Sequence, residues 1–160
     1  MGRPWWVQGR EKRSCRGITL PELMFALIIL LILAALGTVA YSKYRDNANN
    51  ARAIADLRAI EHDILIHEGY AGKLPDSLDQ VGKGLMLDPW GNPYQYHNTQ
   101  TGSGNGQQRF DKLGNRLNMD FDLYSLGKNG MTAPGLERLE SQDDIVRADN
   151  GEFVGMASDF

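Results

Sequence analysis

The sequence lacks the residues that common catalytic and disulfide-rich domains use. It holds one cysteine, Cys15, and three histidines in 160 residues. A single cysteine leaves no partner for an internal disulfide. A phosphate-binding loop, a cysteine ligand set, a Gly-x-Ser-x-Gly turn and a Ser/His/Asp grouping are all missing from the sequence. We therefore expect a protein that is not an enzyme.

Charge is missing from one long stretch. Residues 23–39 contain no charged side chain and a single polar one, Thr38. Extended to Tyr41, the run approaches the roughly 20 residues that a helix needs to cross the hydrocarbon core of a bilayer. A membrane-spanning helix is therefore predicted here.

The charges are distributed unevenly on the two sides of this run. Residues 1–17 have five basic side chains and one acidic one, a net charge of +4. Because the whole chain has a net charge of −3, residues 18–160 carry −7. Because basic flanks stay on the cytoplasmic side of a membrane, we expect the first segment inside and the acidic remainder outside. Nucleic acid is an unfavourable partner for such an acidic domain.

Glu22 lies at the entrance of the apolar run. A carboxylate in this place is costly unless it has a partner, so it suggests a specific function. A cut after Gly17 would create an amine on Ile18, close to this carboxylate. Two other interpretations remain: a cleaved secretory signal, with small residues before a cut at Gly37 or Ala40, and an uncleaved membrane anchor.

The segment Arg16-Gly17-Ile18-Thr19-Leu20-Pro21-Glu22 resembles the processing site of type IV prepilins and pseudopilins. The resemblance implies a leader, residues 1–17, that a prepilin peptidase removes after Gly17. It also implies methylation of Ile18 and a role for Glu22 in assembly. The segment departs from the usual family pattern at Ile18, where Phe is common, and at Pro21, where an aliphatic residue is common.

Beyond the apolar run the sequence keeps the spacing of an amphipathic helix. Its apolar positions recur every three or four residues: Tyr44, Ala48, Ala51, Ile54, Leu57, Ile60 and Ile64. We predict one helix over residues 18–68 that ends at Gly69. Short strands are predicted at residues 94–97, 108–113 and 121–126 and near 152–154, and residues 98–108 are predicted to form an exposed loop without an anchor residue.

Two further segments narrow the resemblance. Asp88-Pro89-Trp90-Gly91-Asn92-Pro93-Tyr94 and Asp122-Leu123-Tyr124-Ser125-Leu126-Gly127 are similar to segments of the major pseudopilins of type II secretion systems. We expect Trp90 and Tyr94 to cover the apolar stripe of the helix. The implied fold is the α+β pilin-like fold, in which a long N-terminal helix packs on a small antiparallel sheet.

The resemblance implies that the chain divides into three parts. Residues 1–17 form the cleaved leader, residues 18–41 the membrane half of the helix, and residues 42–160 a periplasmic or extracellular αβ domain.

Calcium is the one ligand that the sequence suggests. Oxygen-bearing side chains are frequent between Gly127 and Asn150, and such hard donors suit Ca²⁺. In the family that the chain resembles, acidic residues after the "SLG" turn and in the later acidic cluster bind the ion. The corresponding residues here are Asn129, Asp143 and Asp144. Because Asn129 is neutral, we expect weaker binding than in the family, and a solvated acidic loop without a metal is the alternative.

The function that the resemblance implies is assembly into a helical filament of identical subunits. The implied partners are minor pseudopilins or pilins, the prepilin peptidase and an assembly platform in the inner membrane. A pseudopilus of a type II secretion system is the first expectation. The alternatives are a type IV pilus fibre for adhesion, motility or DNA uptake, and a single-pass membrane protein that binds a ligand and never polymerises.

Overall fold

The computed structural model describes residues 17–160, apart from the side chains of Val39 and Ala40. Cys15 and the predicted leader before Gly17 lie outside the described residues. The chain divides into two compact units that meet between Ser42 and Lys43. Each unit is described by itself below.

The predicted long helix is present as α1, Leu20–Ala71. The predicted stop at Gly69 is wrong, since the helix runs past it. Its end is marked by Gly72, which has a left-handed φ of 71° and donates its N–H to the carbonyl of Glu68. A left-handed residue after the last turn is a common way to end a helix, and glycine adopts this conformation without strain.

Four short strands form one antiparallel sheet in the order β1-β2-β3-β4. Their bounds are Gln95–Asn98 for β1, Phe121–Ser125 for β2, Ile145–Ala148 for β3 and Phe153–Met156 for β4. Short 3₁₀ turns occupy Leu78–Val81, Leu139–Ser141, Asp149–Gly151 and Ala157–Asp159. The α+β pilin-like architecture is thereby confirmed.

The strand predictions are partly correct. β1, β2 and β4 lie within a few residues of the predicted segments. The strand predicted at residues 108–113 is wrong, because only Phe110 pairs there, in isolated bridges with Arg116 and Gly135. β3 was not predicted at all.

The helix and the sheet enclose the main core of the second unit. Helix positions spaced by three or four residues meet alternate residues of β1, β2 and β3. The buried core residues are Ala53, Leu57, Ile60, Ile64, Leu74, Leu78, Tyr94, Tyr96, Phe121, Leu123 and Ile145. Tyr94 is part of this core and Trp90 packs against it, which confirms the expected packing role of that segment.

The opposite face of the sheet is covered as well. A second apolar cluster there contains Leu117, Tyr124, Leu136, Val146, Ala148 and Ala157. Every residue of β2 and β3 is consequently buried. Strands buried on both faces lose the alternation of apolar and polar residues that makes a strand visible in sequence.

The loop at residues 98–108 has an anchor that the sequence analysis missed. The side chain of Asn105 accepts a hydrogen bond from the Tyr96 N–H at 3.0 Å and donates one to the carbonyl of Tyr94 at 3.0 Å. The N–H of Gly106 donates to the carbonyl of Tyr96 at 2.8 Å. The loop therefore supplies hydrogen-bond partners along the outer edge of β1.

Arg147 of β3 joins the helix to the sheet. Its side chain is almost fully buried, and its Nε donates to Glu61 Oε1 of α1 at 2.7 Å. Its two terminal nitrogens bind both carboxylate oxygens of Asp120, at 2.7 and 2.8 Å. The guanidinium carbon lies 4.0 Å from the ring centroid of Phe121.

These hydrogen bonds determine the pKa of Arg147. Burial alone would lower the pKa of the guanidinium, but the hydrogen bonds to Asp120 and Glu61 raise it above its usual value. The charge is therefore retained inside the unit, paired with two carboxylates.

We predict that Arg147→Met destabilises the protein by about 3–5 kcal/mol, because it removes the counter-ion of Asp120 and leaves buried Glu61 paired with exposed Arg58 alone. Thermal or chemical unfolding of the full chain in detergent measures this loss. The matched control is Arg52→Met, which removes an exposed arginine 3.8 Å from half-buried Asp56 on α1 and should change stability by less than about 0.5 kcal/mol. Equal effects of the two substitutions would contradict the role given to Arg147.

Candidate functional site

At the entrance of α1, Thr19 donates two hydrogen bonds to Glu22. Thr19 precedes the helix, and Glu22 lies in its first turn. Glu22 Oε2 accepts hydrogen bonds from the Thr19 N–H at 3.0 Å and from its Oγ1 at 2.8 Å. A carboxylate in the first turn that binds the N–H of the capping residue satisfies a donor that the helix cannot. Glu22 thus has a structural partner within its own chain.

Gly17 and Ile18 precede the helix and are exposed. Pro21 lies in the first turn of α1, where a residue without an N–H costs the helix nothing. The segment where the cut is predicted is therefore non-helical and accessible, as a peptidase requires of its substrate.

The first half of α1 presents apolar side chains on all of its sides. The large apolar residues that are more than 45% exposed here are Leu20, Leu23, Met24, Phe25, Leu27, Ile28, Ile29, Leu30, Leu31, Ile32, Leu33 and Leu36. Among the described residues, α1 is the one helix long and apolar enough to cross a membrane. Because no part of the described chain covers this surface, lipid or other protein chains are its natural surroundings.

The two segments that carry the resemblance in the second unit, residues 88–94 and 122–127, bind each other. Asp88 Oδ1 accepts hydrogen bonds from the N–H groups of Trp90 and Asn92, at 3.0 and 2.8 Å. Its Oδ2 accepts the hydroxyl of Ser125, the last residue of β2, at 2.6 Å. Ser125 in turn accepts the N–H of Gly127 at 3.1 Å. This chain of hydrogen bonds fixes the start of the β2–β3 loop, residues 126–144.

The β2–β3 loop contains the residues predicted to bind calcium. Asn129 and Asp143 are brought together, with the Asn129 N–H on Asp143 Oδ2 at 2.8 Å and Asn129 Nδ2 on Asp143 Oδ1 at 2.6 Å. The carbonyl oxygen of the Asn129 side chain accepts the N–H of Met131. The Asp143 carboxylate thus receives N–H donors on both of its oxygens.

Asp144 belongs to a different cluster. It is fully buried, and its Oδ2 accepts a charged hydrogen bond from Arg109 Nη2 at 2.7 Å. The hydroxyl of Thr132 also binds this oxygen, and Arg109 Nη1 reaches the same hydroxyl. Burial raises the pKa of the Asp144 carboxyl to about 6, although Arg109 and Thr132 act in the opposite direction.

The predicted ligands therefore do not point to one common position. Asp143 faces Asn129, and Asp144 faces Arg109. Within residues 17–160 no group of three or more His, Cys, Asp or Glu side chains is placed to hold a metal ion. A calcium ion takes six to eight oxygens, and the described residues offer it no cluster of carboxylates at this loop.

Sequence reasoning missed Arg109. It lies in the segment predicted as a strand, and the sequence analysis assigned it no role. Its side chain is fully buried, its N–H donates to buried Asp122 at 2.8 Å, and its guanidinium carbon lies 4.5 Å from the ring centroid of Tyr124. A single sequence carries no signal that would have separated this arginine from an exposed one.

Comparison with known proteins places these features in one class, the pilin-like proteins with an N-terminal methylation motif. Residues 12–38 match the family described as "Prokaryotic N-terminal methylation motif". The chain is 30% identical to the type II secretion system core protein G of Pseudomonas aeruginosa over 141 residues, which covers 75% of this chain and 88% of that protein. It is 32% identical to the protein of the same name from Aeromonas hydrophila over 106 residues, 53% of this chain and 74% of the relative. No solved structure gives a significant match.

The chain belongs to the family of type II secretion system core protein G, the major pseudopilins. This result confirms the family that the sequence resembled. The apolar helix and the methylation motif fit a single-pass membrane protein.

Proposed function

We propose that this chain is a structural subunit of the pseudopilus of a type II protein secretion system. The observation that carries the proposal is the entrance of α1. There the Glu22 carboxylate stands in front of an apolar helical surface that nothing else in the described chain covers. Family membership supports the same function, since the matched relatives are named as core proteins of that system.

The N-terminus of the subunit is made by cleavage. We infer that the precursor enters the inner membrane with residues 1–17 in the cytoplasm and the acidic domain in the periplasm. A prepilin peptidase then cuts after Gly17, and Ile18 is methylated. The exposed, non-helical placement of both residues and the matched methylation motif support this order of events.

Glu22 sets the axial register between subunits. Its carboxylate lies at the end of the apolar surface, where an unpaired charge is costly in lipid. The amine created on Ile18 of a neighbouring subunit is a matching cation, and pairing the two charges removes both penalties at one defined offset along the filament. The apolar sides of neighbouring helices then pack together, with minor pseudopilins and an inner-membrane platform as the expected assembly partners.

The processing step predicts the mass of the protein in its native membrane. The chain should begin with N-methylated Ile18, and its intact mass and N-terminal sequence measure this directly. In cells without the prepilin peptidase the same protein should keep the full leader and start at Met1. A start after Gly37 or Ala40 in normal cells would instead identify a secretory signal and end the filament proposal.

The register mechanism predicts that Glu22→Ala abolishes filaments without unfolding the second unit. Filament yield in sheared membrane fractions measures assembly, and the thermal unfolding temperature of the full chain measures folding. We expect Glu22→Gln to fail as well, since it keeps the shape of the side chain and loses its charge.

Thr19→Val is the matched control for this experiment. It removes the hydroxyl that binds Glu22 within the same chain and leaves the carboxylate in place. We expect this variant to assemble. Normal filaments from Glu22→Ala would refute the register mechanism. An equal loss in Thr19→Val would show that Glu22 acts through its hydrogen bond to the Thr19 hydroxyl and not through the neighbouring subunit.

A further inference from the structure

A buried positive charge lies where the β2–β3 loop packs against the sheet. Arg109 is fully buried and comes from the segment that follows the exposed loop at residues 98–108. Its guanidinium binds Asp144 at the end of the β2–β3 loop and the hydroxyl of Thr132 in the middle of it. The Arg109 guanidinium thus binds two residues of the loop that are 12 positions apart in the sequence.

The main chain next to Arg109 holds the same loop. The N–H of Phe110 donates to the carbonyl of Pro134 at 2.8 Å, and the carbonyl of Phe110 accepts the N–H of Leu136 at 3.0 Å. Arg109 is itself fixed by its N–H on Asp122 and by its carbonyl, which accepts the N–H of Leu117 at 3.0 Å. The guanidinium is therefore presented to the loop by a rigid support.

Asp143, the other acidic residue predicted to bind calcium, also receives its hydrogen-bond donors from within the chain. Asp143 faces the amide group and the main-chain N–H of Asn129. An aspartate at position 129 would place two carboxylates against each other and would need a cation between them. Asparagine can donate to a carboxylate, so this pair is complete without one.

We propose that Arg109 and Asn129 replace a divalent cation in the β2–β3 loop, so that the loop folds independently of calcium. The guanidinium neutralises Asp144, and the Asn129 donors satisfy Asp143. An arginine belongs to the chain and cannot be removed by a chelator or by low ion concentration outside the cell membrane. The inference concerns the folding of residues 43–160 and stands whether or not the chain polymerises.

Both side chains of the Arg109–Asp144 pair are fully buried, so loss of the pair should change the stability of the protein measurably. Among the described residues, Arg109 and Asp144 form an ion pair only with each other. The remaining buried atoms Arg109 Nε and Asp144 Oδ1 have no hydrogen-bond partner there. Removal of one partner leaves an uncompensated charge in the interior, which is strongly destabilising. Removal of both leaves an apolar gap that costs far less.

The test is thermal unfolding of the full chain in detergent, once with EDTA and once with millimolar Ca²⁺. Near-UV circular dichroism monitors the unfolding. We expect the wild-type Tm to be the same in both conditions. Arg109→Met should lower the Tm by roughly 10 °C or more in both. The matched control, Arg138→Met, removes an exposed arginine of the same loop and should leave the Tm unchanged.

The double variant Arg109→Met/Asp144→Leu keeps the test decisive if Arg109→Met does not fold. It removes both charges and should melt well above Arg109→Met, or fold where that variant fails. A wild-type Tm that rises with Ca²⁺ would overturn the proposal. So would an Arg109→Met variant that melts like the wild type, or a double variant that recovers nothing.

Discussion

The buried pairing of Arg147 with Glu61 and Asp120 is the constraint on which the second unit depends. A guanidinium inside an αβ core is tolerated only if its charge and all of its donors are satisfied. Here the partners come from α1, from the turn before β2 and from the main chain of Phe121. The helix, β2 and β3 must therefore be in place together before the charge is satisfied, which ties the formation of the sheet to the docking of the helix.

The long helix and the general architecture could be predicted because their signals are local. The uncharged run and the three-to-four spacing after it each identify helix without any knowledge of tertiary contacts. The candidate assembly residue was predictable for a similar reason, since a lone carboxylate at the mouth of an apolar run is conspicuous in a sequence. The structure adds that Glu22 already caps its own helix through Thr19.

The remaining features depend on partners that are distant in sequence. β3 is buried on both faces and carries Arg147, so its residues show neither the alternation nor the apolar run of a strand. The opposite error occurred at residues 108–113, where an alternating pattern does not form a strand because its buried residue, Arg109, serves the neighbouring loop. The acidic loop likewise suggested calcium because Asn129 was counted as a ligand, whereas it donates to Asp143. Arg109, which binds Asp144, lies 35 residues away in the sequence and was not connected with the loop.

Asn105 has a consequence for how copies of this chain can associate. An uncovered strand at the edge of a sheet offers its N–H and carbonyl groups to any extended segment of another molecule. At β1 those groups on Tyr96 are already taken by Asn105 and Gly106 of the same chain. Strand exchange between copies of this chain is thereby disfavoured at this edge. Ordered polymerisation is left to the helix, and irregular association through the β1 edge is blocked by a single amide side chain and the turn that carries it.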